Sequence, residues 1–477
     1  MTELTPFWLS GEPAFGEGSL DVHSPYSGAL VGRVSLPTPA QVEQAIADAD
    51  AVRAELLALP AHARAKALDH VSARIAERAD EFASLITAEN GKPLMWSKGE
   101  VNRAVSTFRW AAEEARRWSG ELQRLDTDPN ATGRLGIVRR FPRGPVLGIA
   151  PFNFPLNLVA HKVAPAIAVG APVLIKPASA TPLTALLLAS VIAETELPAG
   201  SVSVLPIPND QMDAVNTDPR LPVISFTGSD AVGDRIRRAA PDKQIILELG
   251  GDAAVMVEPD WPDLKAAAER IALFGNYQAG QSCISVQRVL VHADVYDAFV
   301  SLLTEAVRGL RTGDPNDPAT QVGPMIDEKN AERITGWIAE ATGAGATLLT
   351  GGGREGTQVE PALLTDVPAS VALASQEAFA PVLTVARYGD LDEGFALVNG
   401  SRYGLQAGIF TNRLDVAFRA HRELVVGGVI VGDVPSFRAD QMPYGGWKAS
   451  GTGREGVASA MVDLTDDRIL VLTGLAL

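Results

Sequence analysis

The chain has 477 residues, 46% apolar and 21% charged, the balance of an ordinary globular protein with length for about three domains. A formal charge of −16 argues against nucleic acid or an anionic membrane surface as the main partner. The one cysteine, Cys283, cannot form an internal disulfide, so nothing points to an oxidising compartment.

The N-terminus, "MTELTPFWLSGEP", lacks the basic and apolar regions of a signal peptide. Residues 39–120 are rich in Ala and Glu, and Leu68, Val71 and Ile75 recur at helical spacing, which predicts helices. Residues 134–143, "RLGIVRRFPR", read as a strand with basic punctuation. From Pro145 strands and helices alternate. Strands are predicted at 146–150, 172–176, 202–207, 222–226 and 244–249, with helices over 156–170 and 182–194. This alternation predicts a parallel sheet covered on both faces. The longest apolar run, residues 163–175, is too short to span a bilayer and contains Pro and Gly, so no membrane partner and a cytoplasmic location are expected. A second alternating series follows, with strands at 253–257, 288–292, 381–388, 405–410 and 426–431 and a helix over 295–310. The tail holds "RILVLTGL" (468–475), a strand with no obvious partner.

Two stretches fit G-x-G-x-x-G, residues 351–356 and 451–456. Neither joins a strand to a helix start, as the dinucleotide fingerprint requires. The first reads as a flexible turn, the second as a turn whose glycines let backbone pass close to something. The six histidines (23, 62, 70, 161, 292, 421) have no metal-ligand spacing, and no metal is expected.

Three loci carry groups capable of chemistry. Cys283 lies among small residues in "AGQSCIS"; it is either a nucleophile with room for a substrate or an inert cysteine. Glu248, in "ELGG", ends a predicted strand, where α/β sheets place ligands; it is either a base or a solvated residue before a turn. Asn153, in "PFNFP", follows another predicted strand; its amide is either an oxyanion donor or part of an ordinary turn. Together they supply a nucleophile, a base and an amide donor, a set suited to acyl chemistry through a thioester.

These residues sit within "PFNFP", "KPAS", "FTGSDAVG", "ELGG", "AGQSC", "EAFAP" and "MPYGGWKASGTGREG". In that order, nearly end to end, they resemble the NAD(P)-dependent aldehyde dehydrogenases, of the semialdehyde and lactaldehyde type. The resemblance implies an α/β fold with two doubly wound parallel-sheet lobes and a small β oligomerisation flap. It implies a Rossmann-like cofactor domain (1–121 and 143–249), a catalytic domain (250–440) and a flap (122–142 and 457–477) that joins homodimers or homotetramers by extending a neighbour's sheet. Cys283 matches the nucleophile, Glu248 the general base and Asn153 the oxyanion donor. Cofactor contacts are implied for Ile149, Ala150, Phe152, Lys176, Ser179, Thr227, Gly228, Ser229, Gly233, Leu249, Glu377 and Phe379. The chain departs from the family in reading "EAFAP" where "EVFGP" is frequent. "NYQAGQSC" is also one residue longer than the usual spacing from the base.

Many members that prefer NAD carry Glu where Ser179 stands. A carboxylate repels a 2′-phosphate and a serine does not, so NADP is expected to be accepted. Preference for NADP and use of both cofactors stay open, because no arginine between Pro177 and Arg220 clamps a phosphate. Arg109 and Arg438 fall in segments that border the substrate tunnel in similar proteins, and His161 lies on the helix after "PFNFP". They either grip an acid-bearing or hydroxyl-bearing short aldehyde or form structural ion pairs. Two rivals are a CoA-acylating dehydrogenase and a non-catalytic protein on the same scaffold.

Overall fold

The computed structural model describes residues 3–474. Its first sheet aligns five parallel strands in the spatial order Val202–Val204, Val173–Lys176, Val146–Ile149, Val223–Thr227 and Gln244–Glu248. The chain enters at Val146–Ile149, builds outward to one side, then crosses to the other. That reversal opens a crevice at the carboxyl ends of Val146–Ile149 and Val223–Thr227. The strands Val146–Ile149 and Val173–Lys176 are buried throughout, which is why they read as continuous apolar runs. The strand predicted over 202–207 stops at Val204, because Pro206 has no N–H to offer the ladder.

Antiparallel strands close both edges. Phe7–Leu9 pairs with Val202–Val204, and Gly451–Thr452 pairs with Gln244–Glu248. The sequence left residues 441–456 outside every domain; in the structure Gly451–Thr452 adds a strand beside the one carrying Glu248. Helices Pro39–Ala51, Ala61–Glu77 and Leu94–Arg117 occupy the region predicted helical. Leu68, Val71 and Ile75 are all fully buried in the core of this lobe.

The second sheet runs Thr347–Thr350, Ala362–Thr365, Val382–Tyr388, Arg288–His292, Ala254–Val257, Gln406–Phe410 and Gly428–Val431, parallel except at its first pair. The helix Tyr296–Arg308 packs Phe299, Leu303 and Val307 into its core. Residues 351–356 turn into a small hairpin, Arg354–Glu355 against Gln358–Val359.

A third, antiparallel sheet orders Thr465–Thr473, Arg134–Pro142 and Glu121–Arg124. The tail strand therefore has a partner in its own chain, in register from Thr465 opposite Pro142 to Thr473 opposite Arg134. Leu475, the end of the predicted run, lies outside the described residues. Among the described residues no helix is long and apolar enough to cross a membrane.

The glycines of 451–456 do let backbone pass closely. Gly451 has φ +139°, and a Cβ there would stand 1.9 Å from the carbonyl oxygen of Leu247. Gly451→Ala is therefore expected to cost about 2 kcal/mol or more, read as a fall in the urea midpoint at unchanged slope. An unchanged midpoint would show that the strand pair yields without strain.

Candidate active site

Cys283 and Glu248 face one cavity of about 180 Å³, which Arg103, Arg438, Tyr444 and Glu455 also line. It lies at the carboxyl end of the first sheet: Glu248 ends its strand, and Thr227, which ends the neighbouring one, reaches the same space. A cavity of equal volume beneath the N-terminal hairpin, bounded by Trp8, Ser10 and Thr195, is not lined by the cysteine, and its Ser10 hydroxyl donates to Asp48 at 2.6 Å.

The "ELGG" glycines explain how the two lobes meet here. A Cβ on Gly250 would lie 2.5 Å from Oε2 of Glu377, and one on Gly251 would lie 2.4 Å from the carbonyl oxygen of Cys283. The Gly251 N–H donates to Oε1 of Glu377 at 2.9 Å. Burial pushes the Glu377 carboxyl up to about 7, against the pull of that hydrogen bond.

The loop leading to Cys283 takes an uncommon path. Gln278, Ala279 and Gly280 have φ of +42°, +58° and +66°, three successive residues in the left-handed region. A Cβ at Gly280 would meet the Ala380 carbonyl oxygen at 2.1 Å. The stretch that reads one residue long is thus the stretch that forms this turn. Asn153 is buried and donates one amide N–H at 2.9 Å to the carbonyl of Gln281, two residues before Cys283 in the chain; Asn153 itself is not among the residues that line the cavity. Its loop is pinned at both ends. Asn90 donates to the Phe152 carbonyl at 2.7 Å, and Glu100 accepts from the backbone of Leu156 and Asn157 at 2.8 and 3.1 Å. Glu100 is paired with Lys92, both fully buried, and the Lys92 ammonium sits 4.0 Å over the Phe154 ring.

Burial pushes the Cys283 thiol up to about 12, partly offset by the Tyr444 hydroxyl 3.0 Å from Sγ. Burial also raises Tyr444 well above its ordinary range, so that hydroxyl stays protonated and can donate to the sulfur once the thiol ionises. Glu248 is raised well above the usual carboxylate range, first by burial and then by the charge of Glu455. Neither of its buried carboxyl oxygens has a hydrogen-bond partner in the protein. Glu455 lies low, at about 2: burial would raise it, but Arg438 at 2.9 Å and Lys162 at 3.8 Å outweigh burial. Lys162 also donates to Ser225 and Thr227 at 3.1 and 2.8 Å.

The three proposed substrate residues separate. Arg438 lines the cavity, 3.8 Å over the Tyr444 ring, with its buried Nε unpartnered. His161 does not line it; it lies behind, with Nε2 3.1 Å from Oδ1 of Asp440. Arg109 is half-exposed, pairs with Glu113 at 3.3 Å and stacks on Trp110, so its expected place at the tunnel is corrected. The guanidinium on that helix that does reach the cavity is Arg103. Arg103, Tyr444, Lys162, Glu455 and Asp440 escaped the sequence reading, although Tyr444 and Glu455 stand inside motifs quoted above.

The crevice residues fit a dinucleotide. The helix Asp230–Ala239 opens at it, and Ser229, its N-cap, makes no side-chain cap, so first-turn N–H groups remain for a pyrophosphate. A Cβ on Gly233 would strike Leu249 at 2.7 Å, so glycine lets this helix lie close to the segment after Glu248. Gly228 hydrogen-bonds the Glu248 carbonyl at 3.0 Å, which ties Thr227–Ser229 to the base strand. Lys176, at its strand's end, donates to Asn209 at 2.7 Å, and burial brings it down to about 8. Ser179 is exposed beyond it with no carboxylate beside it in the chain. Ile149 and Ala150 floor the crevice at a strand end, and the Phe152 ring meets Phe379 edge-on at 5.9 Å.

A doubly wound pair of lobes, with a buried cysteine and carboxylate where they meet and a crevice that fits a dinucleotide, has the arrangement of a nucleotide-dependent enzyme. The model of the aldehyde dehydrogenase family matches residues 13–469, and the chain belongs to that family. The 3-sulfolactaldehyde dehydrogenase of Priestia aryabhattai is 39% identical over 479 residues, 99% of this chain and all of the relative. Aldehyde dehydrogenase 21 from Physcomitrella patens, solved with its reaction product succinate, superposes with a TM-score of 0.98 at 41% identity, covering 100% of this chain and 99% of its own. The NADP-dependent glyceraldehyde-3-phosphate dehydrogenase from Bacillus halodurans C-125, solved with NADP, gives a TM-score of 0.95 at 34% identity, covering 99% of this chain and all of its own.

The Tyr444 hydrogen bond predicts that Tyr444→Phe slows iodoacetamide alkylation of Cys283 at neutral pH about tenfold, by removing a donor to the thiolate while keeping the ring. Alkylation of both forms should accelerate as pH rises toward 12, the variant's profile lying at higher pH. Coincident profiles would remove Tyr444 from thiol activation.

Proposed function

We propose that this aldehyde dehydrogenase oxidises a short aldehyde bearing an anionic group, by way of a thioester on Cys283. The observation that carries the reading is that Cys283, Glu248, Arg103 and Arg438 all face one cavity. The Cys283 thiolate, supported by the Tyr444 hydroxyl, attacks the aldehyde carbon and forms the C–S bond. The carbonyl oxygen, now negative, takes hydrogen bonds from an Asn153 amide N–H and the backbone N–H of Cys283. NAD(P), held by the Thr227–Ser229 loop, Lys176 and Glu377, supplies the hydride acceptor when bound. Water then adds to the thioester and Glu248 takes its proton; the C–S bond breaks, Cys283 leaves as thiolate and the acid departs. The two unpartnered oxygens of Glu248 suit that water, and support hydrolysis over transfer to CoA.

Two guanidinium groups in a largely buried cavity favour a carboxylate or sulfonate on the substrate. The relatives' own names, a sulfolactaldehyde dehydrogenase and a succinate complex, support the same class. The exposed Ser179 and the NADP-bound relative support acceptance of NADP; a hundredfold kcat/KM preference for NAD would overturn it. The tail strand exposes Ile469, Leu470, Val471 and Leu472, which supports a flap that joins second copies. Sedimentation at monomer mass would overturn that reading.

Glu248→Gln is expected to keep a single-turnover burst of reduced cofactor and lose steady-state turnover by at least about a hundredfold. Loss of the burst as well would place Glu248 in acylation. Because Glu248 titrates well above the usual carboxylate range, hydrolysis should speed up as pH rises through its raised pKa, and Gln should abolish that limb. Arg438→Ala is expected to lower kcat/KM for 4-oxobutanoate about tenfold to a hundredfold more than for propanal. Equal losses would sink the anionic-substrate reading.

A further inference from the structure

We infer that Gln278 selects aldehydes that carry a hydroxyl on the carbon next to the aldehyde group, by accepting a hydrogen bond from that hydroxyl. This rests on the reading of Cys283 as the nucleophile of the cavity, and adds a second feature to the anion that Arg103 and Arg438 favour.

Gln278 is 3% exposed and lines the same cavity as Cys283. Its Nε2 donates to the carbonyl of Gln281 at 2.9 Å. A carbonyl only accepts, so the amide cannot be turned to put its oxygen there. Oε1 is therefore left over, and it has no hydrogen-bond partner in the protein. The same loop satisfies another glutamine completely. Gln281 donates Nε2 to the carbonyls of Gln278 and Pro324, both at 3.2 Å, and its Oε1 accepts from the Ile326 N–H at 2.9 Å. Gln281 does not line the cavity and Gln278 does. The backbone of Gln278, at φ +42°, is of the kind that favours glycine or asparagine, so the long amide is kept there against the local preference.

The aromatic residues of the cavity do not supply the missing donor. Trp96, which also lines the cavity, donates Nε1–H to the Gln321 carbonyl at 2.8 Å, and the Tyr277 hydroxyl donates to Ser282 at 2.7 Å. The Trp96 and Phe274 rings each pack 5.5 Å from that of Tyr277, so this part of the wall is apolar around one open acceptor. Such an acceptor is costly to bury unless a ligand or water completes it. Ser282 lines the cavity as well and, having accepted from Tyr277, has no acceptor for its own proton among the described residues. A hydroxyl, which both donates and accepts, suits this wall; a C–H or a second carboxylate does not.

The position of the hydroxyl follows from the Gln281 carbonyl. It also accepts from Nδ2 of Asn153 at 2.9 Å, so the Gln278 amide and the proposed oxyanion donor meet at one oxygen. A group held by Gln278 thus lies close to the aldehyde oxygen that Asn153 would hold, which puts the hydroxyl on the adjoining carbon.

The test measures kcat/KM for two pairs of aldehydes that differ only in the hydroxyl: lactaldehyde, as separate enantiomers, against propanal, and 3-hydroxy-4-oxobutanoate against 4-oxobutanoate. Wild type should favour the hydroxylated member of each pair, in one enantiomer, by about tenfold or more. Gln278→Met keeps the length of the side chain and removes the acceptor; it should lower both ratios about tenfold and bring the lactaldehyde enantiomers together. General damage to the loop would slow every substrate alike and leave the ratios unchanged. Ratios in Gln278→Met within about twofold of wild type overturn the inference. The anionic reading is judged separately, by Arg438→Ala on 4-oxobutanoate and propanal, neither of which bears the hydroxyl. Should Gln278→Met not fold, wild type decides: the enantiomers have the same intrinsic reactivity, so equal kcat/KM for both overturns the inference.

Discussion

The site depends on one steric fact: backbone at 250–251 passes where no side chain fits. Gly250 faces the Glu377 carboxylate and Gly251 the Cys283 carbonyl, each at a distance a Cβ could not tolerate. The base ends a strand of the first sheet, and three residues later the chain touches the nucleophile's own backbone. Ala254–Val257 then begins the second sheet, so the passage that joins the lobes also fixes the spacing of base and nucleophile. Glu377 receives the Gly251 N–H at the same place, which binds a third segment to the junction. Precision at the reacting atoms comes here from rigid elements meeting without room to shift.

Around that junction the chain buries several charges, and their pairing separates their roles. Lys92 and Glu100 are closed on one another, and the spare oxygen of Glu100 caps the helix Asn157–Val169. That pair serves geometry: it holds the Asn153 loop. Arg438 and Glu455 are close but incompletely satisfied, since Nε of Arg438 has no partner. A buried donor left open is expensive unless a ligand completes it. The same reasoning applies to both oxygens of Glu248. Among the residues that line the cavity, the unsatisfied groups are thus Nε of Arg438, Oε1 of Gln278 and the two oxygens of Glu248, which is expected of a site that receives substrate and water.

Much of this was legible in the sequence because the period changes along the chain report sheet and helix directly. "VLGIA" and "PVLIK" are apolar on both faces and lie in the middle of a parallel sheet; "ELGG" ends a strand as its order predicts. The motifs located Cys283, Glu248 and Asn153, though only the coordinates show that the first two share a cavity. The substrate side was less legible for a geometric reason. Arg103 and Arg109 stand on one helix six residues apart, about 120° around its axis. A linear reading names a segment as bordering a tunnel but does not say which way its turns face. Thr107, which hydrogen-bonds Asn157 at 3.0 Å and is fully buried, marks the inward face together with Glu100 and Arg103. Asp440 was invisible for a related reason. Its role is to receive four donors from two distant segments, and no local pattern records that.

The resting cavity keeps both its thiol and its acid in uncharged forms, and this bears on how the enzyme turns over. A thiol raised to about 12 is a poor nucleophile but also resists oxidation and stray electrophiles. Burial and the neighbouring Glu377 and Glu248 charges disfavour the thiolate, whereas Tyr444 and Arg438 favour it. The balance is therefore open to anything that adds positive charge or excludes a carboxylate's charge beside sulfur. A bound nicotinamide in its oxidised form would supply such a positive charge. Glu248 answers to the same surroundings: burial and the Glu455 charge disfavour its ionised form, whereas Arg438 and Lys162 favour it. Nucleophile and base, set at one junction by two glycines, are thus held uncharged by one shared burial, and a single guanidinium, that of Arg438, favours the ionised form of both.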